Sequence, residues 1–214
     1  RALELKPEDV GIHVMYSRCL IRAGRGNEAY ERLSELHATR PENPEVAVAF
    51  AEACDTTDRQ LRARETLQNM AERFPDHVEV WDTLGRHFWQ ARELDEAKKA
   101  YQRVLQIDPQ RFLALLRLGN LARQGGEFSE AVSRYRKAIE IDDTSAEAHL
   151  GLGIALRETS ELSDALSELE RAVELGAEGG EIHHHLGLVY LKSGETQKAS
   201  ATMQKAVSLG YQAA

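Results

Sequence analysis

A recurrence of small residues at a spacing of 34 constrains this chain more than any other feature. Alanine occupies one position of every period: Ala29, Ala63, Ala97, Ala131, Ala165 and Ala199. A second position of the period is always small: Ser17, Ala51, Gly85, Gly119, Gly153 and Gly187. Two antiparallel helices approach closely only where side chains are short. The two sets therefore predict the crossing point of a helical hairpin that is repeated along the chain.

The stretch 78–111 shows the full pattern of one repeat. Places 4, 7, 8, 11, 20, 24 and 32 of this unit hold Trp81, Leu84, Gly85, Phe88, Ala97, Tyr101 and Pro109. This pattern resembles the tetratricopeptide (TPR) repeat, a helix–turn–helix unit of 34 residues. The resemblance extends over essentially all 214 residues. It implies an all-α fold, a right-handed superhelical solenoid of antiparallel helix pairs.

The period divides the chain into six full repeats and part of another. The full repeats are 10–43, 44–77, 78–111, 112–145, 146–179 and 180–213, and residues 1–9 match the end of a preceding repeat, with Ala2, Leu5 and Pro7 at its places 27, 30 and 32. The last helix shows an apolar side that no later repeat covers: Ala199, Met203, Ala206 and Val207. Since terminal repeats normally carry a polar capping face, we expect a fragment of a longer chain, or an end that packs on another domain or subunit.

Two local features predict how the hairpins differ. Residues 55–60 form the turn of the second repeat, lack glycine, and place Gln60 where leucine or phenylalanine stands in later repeats, so we expect this hairpin to be the least well packed. Cys19 and Cys54 fall on helical positions that should face inward, which predicts two reduced core thiols. Two cysteines that bind a metal or form a redox pair would be spaced more closely in the sequence.

Composition excludes some classes of partner. The formal net charge is −8, its acidic excess is concentrated in 146–179, and no repeat is strongly basic. We therefore expect no nucleic-acid partner. No apolar run approaches the ~20 residues needed to span a bilayer, so no membrane insertion is expected. Cytoplasm is the default compartment, and a bacterial periplasm is the alternative.

One half of each first helix is left for function. In TPR proteins the first helices line a concave groove, and the resemblance implies that places 2, 5, 9 and 12 face the ligand. In this chain a run of leucines lies there beside a tryptophan and is edged by arginines. The candidate site residues are Arg86, Trp89, Leu113, Leu116, Asn120, Arg123, Leu150, Ile154, Arg157, His184, Leu188 and Leu191. Exposed apolar patches mark interaction sites, and arginine and tryptophan are enriched at binding hot spots.

These residues predict a groove for a peptide or helical segment whose acidic groups meet Arg86, Arg123 and Arg157. Two other interpretations stay open: a surface covered by the same polypeptide or by a second copy, and plain tolerated exposure. The first two repeats differ from the rest, because Arg18 and Arg22 make the first basic, whereas the second is made acidic by three carboxylates: Glu45, Glu52 and Asp55. This change of charge suggests that the groove orients its partner, although a solvated surface explains it almost as well.

Two TPR ligand signatures are absent. The clamp that holds a C-terminal carboxylate in chaperone-binding TPR domains needs lysine at place 5, which here holds Val14, Val48, Asp82, Leu116, Leu150 and His184. The asparagine ladder of O-GlcNAc transferase needs asparagine at place 6, which here holds Met15, Ala49, Thr83, Arg117, Gly151 and His185. Neither specific ligand is therefore predicted.

Catalytic and metal-binding patterns are not found. His183, His184 and His185 point ~100° apart on a helix and cannot converge on one ion. His13, His149 and His183 share place 4, an inward position, so we expect core or boundary histidines. The stretch 151–156, GLGIAL, lies within a predicted helix and follows no strand, unlike a phosphate-binding loop. No cofactor, no metal and no catalytic residue is predicted.

The leading hypothesis is a non-enzymatic protein-interaction scaffold that binds a peptide or helix in its groove. The first alternative is the substrate-recruiting TPR arm of a larger enzyme, such as a glycosyltransferase or sulfotransferase. The second is a self-assembly module that associates through uncapped repeat ends or through the leucine-lined groove.

Overall fold

The structure of the chain is a computed structural model that describes residues 9–211. This part of the chain holds twelve α-helices and no strand. The predicted fragment with Ala2, Leu5 and Pro7 lies outside the described residues. The helices form six antiparallel pairs: α1 (Val10–Arg22) with α2 (Gly26–Thr39), α3 (Pro44–Asp55) with α4 (Gln60–Arg73), α5 (Val78–Gln90) with α6 (Leu94–Ile107), α7 (Phe112–Gln124) with α8 (Phe128–Ile141), α9 (Ala146–Glu158) with α10 (Leu162–Glu174), and α11 (Gly180–Lys192) with α12 (Thr196–Ser208).

The helices group into two compact units that divide between Pro109 and Gln110. Unit 1 contains α1 to α6, and unit 2 contains α7 to α12. Within each unit, a second helix packs against its own first helix and against the first helix of the next pair. The central first helices, α3 in unit 1 and α9 in unit 2, also contact the first helices on both of their sides. Each unit is therefore a stack of hairpins whose first helices lie side by side.

Helix starts follow the predicted repeat frame. The six first helices begin at place 1 of their repeats: Val10, Pro44, Val78, Phe112, Ala146 and Gly180. Three of them are capped by the residue just before, where the side chains of Asp9, Asn43 and Ser145 accept a hydrogen bond from a backbone N–H of the first turn. Such caps satisfy donors that the helix itself leaves unpaired, so the start of the helix is encoded locally.

The turn inside every hairpin uses the same left-handed backbone at place 15. Glycine supplies it in three hairpins, at Gly24, Gly126 and Gly194, and larger residues supply it in the others, at Asp58, Arg92 and Ser160. A positive φ costs L-residues about 1–2 kcal/mol and costs glycine little. The hairpins with Arg92 and Ser160 therefore keep the turn geometry at the expense of backbone strain.

A tyrosine wedge explains two of the glycines on the first helices of unit 2. Tyr135 of α8 is fully buried. A methyl group added at Gly119 would lie 2.7 Å from its ring, and one added at Gly151 would lie 2.5 Å from it. Both distances are shorter than carbon atoms tolerate, so α7 and α9 close around this ring only because both residues lack a side chain. The stretch 151–156 is thus helical and serves packing.

Two packing predictions are wrong, one of them in part. Cys54 is buried, but Cys19 is exposed, so the prediction of two core thiols is wrong for Cys19. Cys19 stands at place 10 of α1, a place that is buried in the five later repeats, each of which follows a second helix, and no second helix precedes α1 within residues 9–211. The second hairpin is not the least well packed, because its two helices contact each other more extensively than α1 and α2 do. Leu61, one residue after Gln60, is nevertheless 76% exposed.

His149 is a core histidine, as predicted from its place in the repeat. Its side chain is buried between α9, α10 and the turn before α9. The Nδ1 atom lies 2.6 Å from the Glu168 carboxylate, and Nε2 lies 3.1 Å from the Asp143 carbonyl oxygen. Both ring nitrogens are satisfied inside the protein, so this histidine is used for structure.

Candidate functional site

The leucines predicted for the groove divide into accessible and buried ones. Leu113 and Leu191 are 47% and 51% exposed, and Leu150 and Leu188 are half-buried. These four lie on α7, α9 and α11, the three first helices of unit 2. We call these four partly accessible side chains the leucine face, and Leu191 also lines a pocket on α12.

Leu116 and Ile154 are a correction to the predicted site. Their side chains are only 2% and 4% exposed, so they contribute no accessible surface. The cause for Ile154 is that α9 packs against α8 and α10 and also has a first helix on each side, so that nine of its thirteen residues are buried. Places 5 and 9 of a repeat thus face a ligand only where the neighbouring helices leave room.

Asn120 is accessible in part, but its amide is used inside unit 2. Its Oδ1 accepts a hydrogen bond of 2.6 Å from the Tyr135 hydroxyl, and its Nδ2 donates one of 3.1 Å to the Glu147 carboxylate. Glu147 also lies 3.7 Å from Arg117. This chain of polar contacts runs from the core to the surface beside the leucine face. Asn120 therefore positions Glu147 and keeps the tyrosine wedge satisfied.

Arg157 is also a correction, because its side chain is buried at 8% exposure. Its guanidinium pairs with Glu158 and donates a 2.8 Å hydrogen bond to Nδ1 of His185 on α11. Burial and the nearby positive charges of Arg157 and Arg123 lower the pKa of His185 to about 4. His185 is therefore neutral at pH 7 and accepts from Arg157, so that this pair ties α9 to α11.

The remaining predicted residues of unit 2 are half-buried. Arg123 lies near the Tyr135 hydroxyl and near His185, where its positive charge lowers the pKa of that histidine after the larger effects of burial and Arg157. The ring of His184 stacks on Tyr211, with centroids 4.6 Å apart. The ring of His184 also lies edge-on to that of His185, with centroids 5.5 Å apart.

In unit 1, Arg86 is held by a carboxylate of the same chain. It donates a 2.7 Å hydrogen bond to Asp55 on α3, and the buried His87 places Nε2 3.2 Å from the other oxygen of Asp55. Burial would raise the pKa of Asp55, but the contacts of His87 and Arg86 outweigh it and hold that pKa below its usual value. Asp55 is therefore ionised. Trp89, the other predicted residue of unit 1, is half-buried.

The site prediction omitted a pocket on the first helices of unit 1. This pocket has a volume of about 500 Å³. Its charged lining, from α1, α3 and α5, is Arg18, Arg22, Glu52, Asp55 and Arg86. We call it the arginine pocket. The signal for it was present in the sequence as basic residues at places 9 and 13 of the first repeat, but they were not apolar and were left out of the site.

A second pocket of about 400 Å³ lies at the other end of the same helices. Val14, Met15 and Val48 supply its apolar lining, and Glu45 and Glu79 supply carboxylates. We call it the acidic pocket. Arg18 lines both pockets, so they adjoin along the first helices of unit 1.

A third pocket, of about 490 Å³, lies mainly on α12 and is predominantly apolar, with Ala199, Met203 and Val207 in its lining. Val207 is exposed. This is the surface for which the sequence predicts self-association, and that association stays a prediction that molar mass against concentration would test.

No helix among residues 9–211 has both the length and the apolar character that crossing a membrane requires. In the same part of the chain, no three His, Cys, Asp or Glu side chains group closely enough to hold a metal ion.

Comparison with known proteins identifies the family. Four models described as TPR or tetratricopeptide repeats match the chain, at residues 1–49 and 20–87, 78–111, 119–160 and 150–214. The chain belongs to the tetratricopeptide repeat family. No curated protein sequence matches it significantly.

Several solved structures share the fold at low sequence identity. PilF of Pseudomonas aeruginosa has a TM-score of 0.79 at 14% identity, covering 90% of this chain and 87% of its own. YrrB, described as a TPR protein with an unusual peptide-binding site, has a TM-score of 0.74 at 18% identity, with coverages of 83% and 91%. MamA from Desulfovibrio magneticus RS-1 has a TM-score of 0.71 at 19% identity, with coverages of 78% and 94%. These matches confirm the predicted all-α TPR solenoid class, and the fold supports a protein-interaction scaffold.

Proposed function

We propose that this protein is a non-catalytic interaction scaffold that binds a peptide or a helical segment against the exposed faces of its first helices. The observation that carries the proposal is the leucine face of unit 2, where Leu113, Leu150, Leu188 and Leu191 remain accessible on three neighbouring helices. Apolar side chains on one side of a bound helix or strand would cover this face. The similarity to YrrB, a protein described as peptide-binding, supports the same class of ligand.

Charged groups border the leucine face and would set the orientation in which a peptide binds. Glu147 and Glu181 are exposed at place 2 of α9 and α11, and Lys192 is exposed at the end of α11. Arg123 lies at the same end of α7 as Lys192 does on α11. Such a border favours a ligand with charges at both ends of an apolar stretch, because unpaired like charges would oppose the reverse orientation.

The test selects dodecapeptides from a random display library against the full chain and measures the affinity of the best one by fluorescence anisotropy. We expect Leu188→Asp and Leu150→Asp to weaken binding at least about tenfold, because each places a charge in the apolar contact. Arg123→Glu should weaken it several-fold. Leu61→Asp is the matched control, since Leu61 is exposed and lies on a second helix.

Circular dichroism of each variant separates binding from folding. An unchanged affinity in Leu188→Asp would rule out the leucine face as the contact surface. Unfolding of Leu150→Asp would show that this half-buried leucine belongs to the core, and Leu188→Asp would then decide alone.

A further inference from the structure

The arginine pocket of unit 1 contains more positive than negative charge. Its three arginines face two carboxylates, and the charges are not all paired in the same way. Arg86 and Asp55 form a close pair in which Asp55 is also approached by the buried His87. This pair is neutral as a whole and is held by the surrounding packing. The charge available to a ligand therefore lies with the residues of α1.

Arg18 and Arg22 stand four residues apart on α1, which places them on one face of the helix. Arg18 pairs with Glu52 at 2.9 Å, but 44% of the Arg18 side chain and 28% of the Glu52 side chain are exposed. Exposed ion pairs contribute only about 0–1 kcal/mol, so Glu52 is a weak competitor for this arginine. Arg22 is exposed and forms no ion pair with any residue between 9 and 211. The guanidinium groups of Arg18 and Arg22 thus have a single weakly bound carboxylate, that of Glu52, between them.

We propose that the arginine pocket holds an anionic group of the bound peptide, a carboxylate or a phosphate, between Arg18 and Arg22. A planar guanidinium binds both groups through paired N–H donors, and such charge-assisted bonds are stronger than neutral ones. The incoming group takes the place of the Glu52 carboxylate on Arg18 and relieves the repulsion between the two arginines. This inference rests on the proposed function, because it assigns the chemistry of a peptide contact on the first helices of unit 1.

The acidic pocket restricts the anionic group of the peptide to the arginine pocket of unit 1. Glu45 and Glu79 would repel it there, while the arginine pocket attracts it. The two pockets share Arg18, so a peptide that enters both is oriented by its own charges. The charge change seen in the first two repeats of the sequence then acts as an orienting device.

The experiment extends the peptide selection to three further variants of the full chain. With the unmodified protein, selected peptides should be enriched in aspartate and glutamate over the starting library. Replacing the enriched acid of the best peptide by glutamine should weaken its binding about tenfold, and replacing it by phosphoserine should preserve it. A phosphoserine form that binds more tightly than the acid would assign the site to a phosphate, and one that binds no more tightly would assign it to a carboxylate.

Variants of the pocket should act with opposite signs. Arg22→Gln should weaken the acidic peptide about tenfold and abolish its preference over the glutamine form, whereas Glu52→Gln should tighten it several-fold because a competing carboxylate is removed. Arg40→Gln is the matched control, since Arg40 is exposed, belongs to unit 1 and lies outside the pocket. The effect of Arg22→Gln should shrink at high salt.

The outcomes distinguish this inference from the proposed function. If selected peptides bind the protein but none of them loses affinity in its glutamine form or on Arg22→Gln, the anion site is overturned and the scaffold function stands. Weaker binding to Glu52→Gln would also overturn it, because Glu52 would then be part of the contact. Failure to select any peptide would overturn both.

Discussion

The central first helices of the two units are tied to their neighbours by different forces. In unit 1, α3 presents Glu52 and Asp55 at places 9 and 12, and these carboxylates pair with Arg18 on α1 and Arg86 on α5. In unit 2, α9 presents Ile154 and Arg157 at the same two places, and both are buried. The second repeat therefore joins its first helix to the neighbouring first helices by ion pairs at a wet surface, whereas the fifth repeat uses a buried isoleucine and a buried hydrogen bond from Arg157 to His185.

The difference shows where a TPR repeat can carry recognition. Where helix contacts are made by packing, as around Tyr135, groove-side places become core and only the rim stays accessible. Where the contacts between first helices are partly exposed ion pairs, a ligand can reach the charges. A charged group of the ligand can then replace one member of an ion pair. Unit 1 is therefore suited to charge recognition, and the leucine face of unit 2 to apolar contact.

Overpacking the tyrosine wedge should produce the largest effect. Gly119→Leu would force a side chain into the Tyr135 ring, which lies 2.7 Å from the position of the first added carbon. We expect a loss of about 3 kcal/mol or more from unit 2. Hydrogen exchange resolved by residue should show faster exchange in α7 to α10, while the helices of unit 1 keep their protection.

The control for this change is Gly125→Leu at the end of α7, where an added carbon would meet nothing closer than 3.5 Å. A similar loss in both variants would show that the added leucine side chain itself, and not its clash with Tyr135, causes the effect.

Acid should weaken unit 2 through His185. Its pKa is about 4 in the folded protein, below the ordinary value of 6.5, so the unfolded chain binds a proton that the folded one does not. This contribution to stability is complete above pH 6.5 and is lost as the pH falls to 4, by up to about 3 kcal/mol. Melting temperatures of the unmodified protein and of His185→Gln at pH 7, 5.5 and 4.5 test it. Equal slopes in the two proteins would contradict the assignment.

The two ion pairs of unit 1 should differ in strength. Asp55→Asn removes a half-buried carboxylate that serves Arg86 and approaches His87, and should cost about 1–2 kcal/mol in urea unfolding. Glu52→Gln removes an exposed pair and should cost no more than about 0.5 kcal/mol. The reverse order would mean that Glu52, not Asp55, holds α3 in place.

The hairpin turns supply the smallest effect, and it is stabilising. Arg92→Gly replaces a residue with φ of 63° by the residue that occupies the same place in three other hairpins. The relief of strain exceeds the extra entropy of glycine in the unfolded chain, so we expect a gain of about 0.5 kcal/mol. Gly126→Arg, the reciprocal change in unit 2, should lose stability. A thermal shift of the opposite sign in either variant would contradict this account.

The repeat frame could be predicted from the sequence because its signals are local. Asp9, Asn43 and Ser145 cap the helices that follow them. Gly176 and Gly210, just after the ends of α10 and α12, adopt the left-handed backbone that suits glycine at the end of a helix. Each of these features depends on a few adjacent residues. The starts of the helices therefore follow from the sequence without knowledge of how the hairpins pack.

Accessibility on the groove side could not be predicted in the same way, because it depends on contacts between repeats. Ile154 is buried by helices on both sides of α9. Asn120 accepts a hydrogen bond from Tyr135, which lies on the other helix of the same hairpin. The available signal was Gly151, which lies in the repeat that follows the one with Tyr135. A glycine in a helix interior indicates a close neighbour. The helical wheel of a single repeat does not contain that neighbour.

The two cysteines, which differ so strongly in burial, make the chain suitable for labelling at one position. Burial raises the pKa of the Cys54 thiol to about 11, so it supplies almost no thiolate near neutral pH, whereas Cys19 is exposed. A maleimide dye would therefore attach to Cys19, one residue from Arg18. Such a dye would report by its fluorescence on events at the first helix of unit 1 without any cysteine having to be introduced or removed.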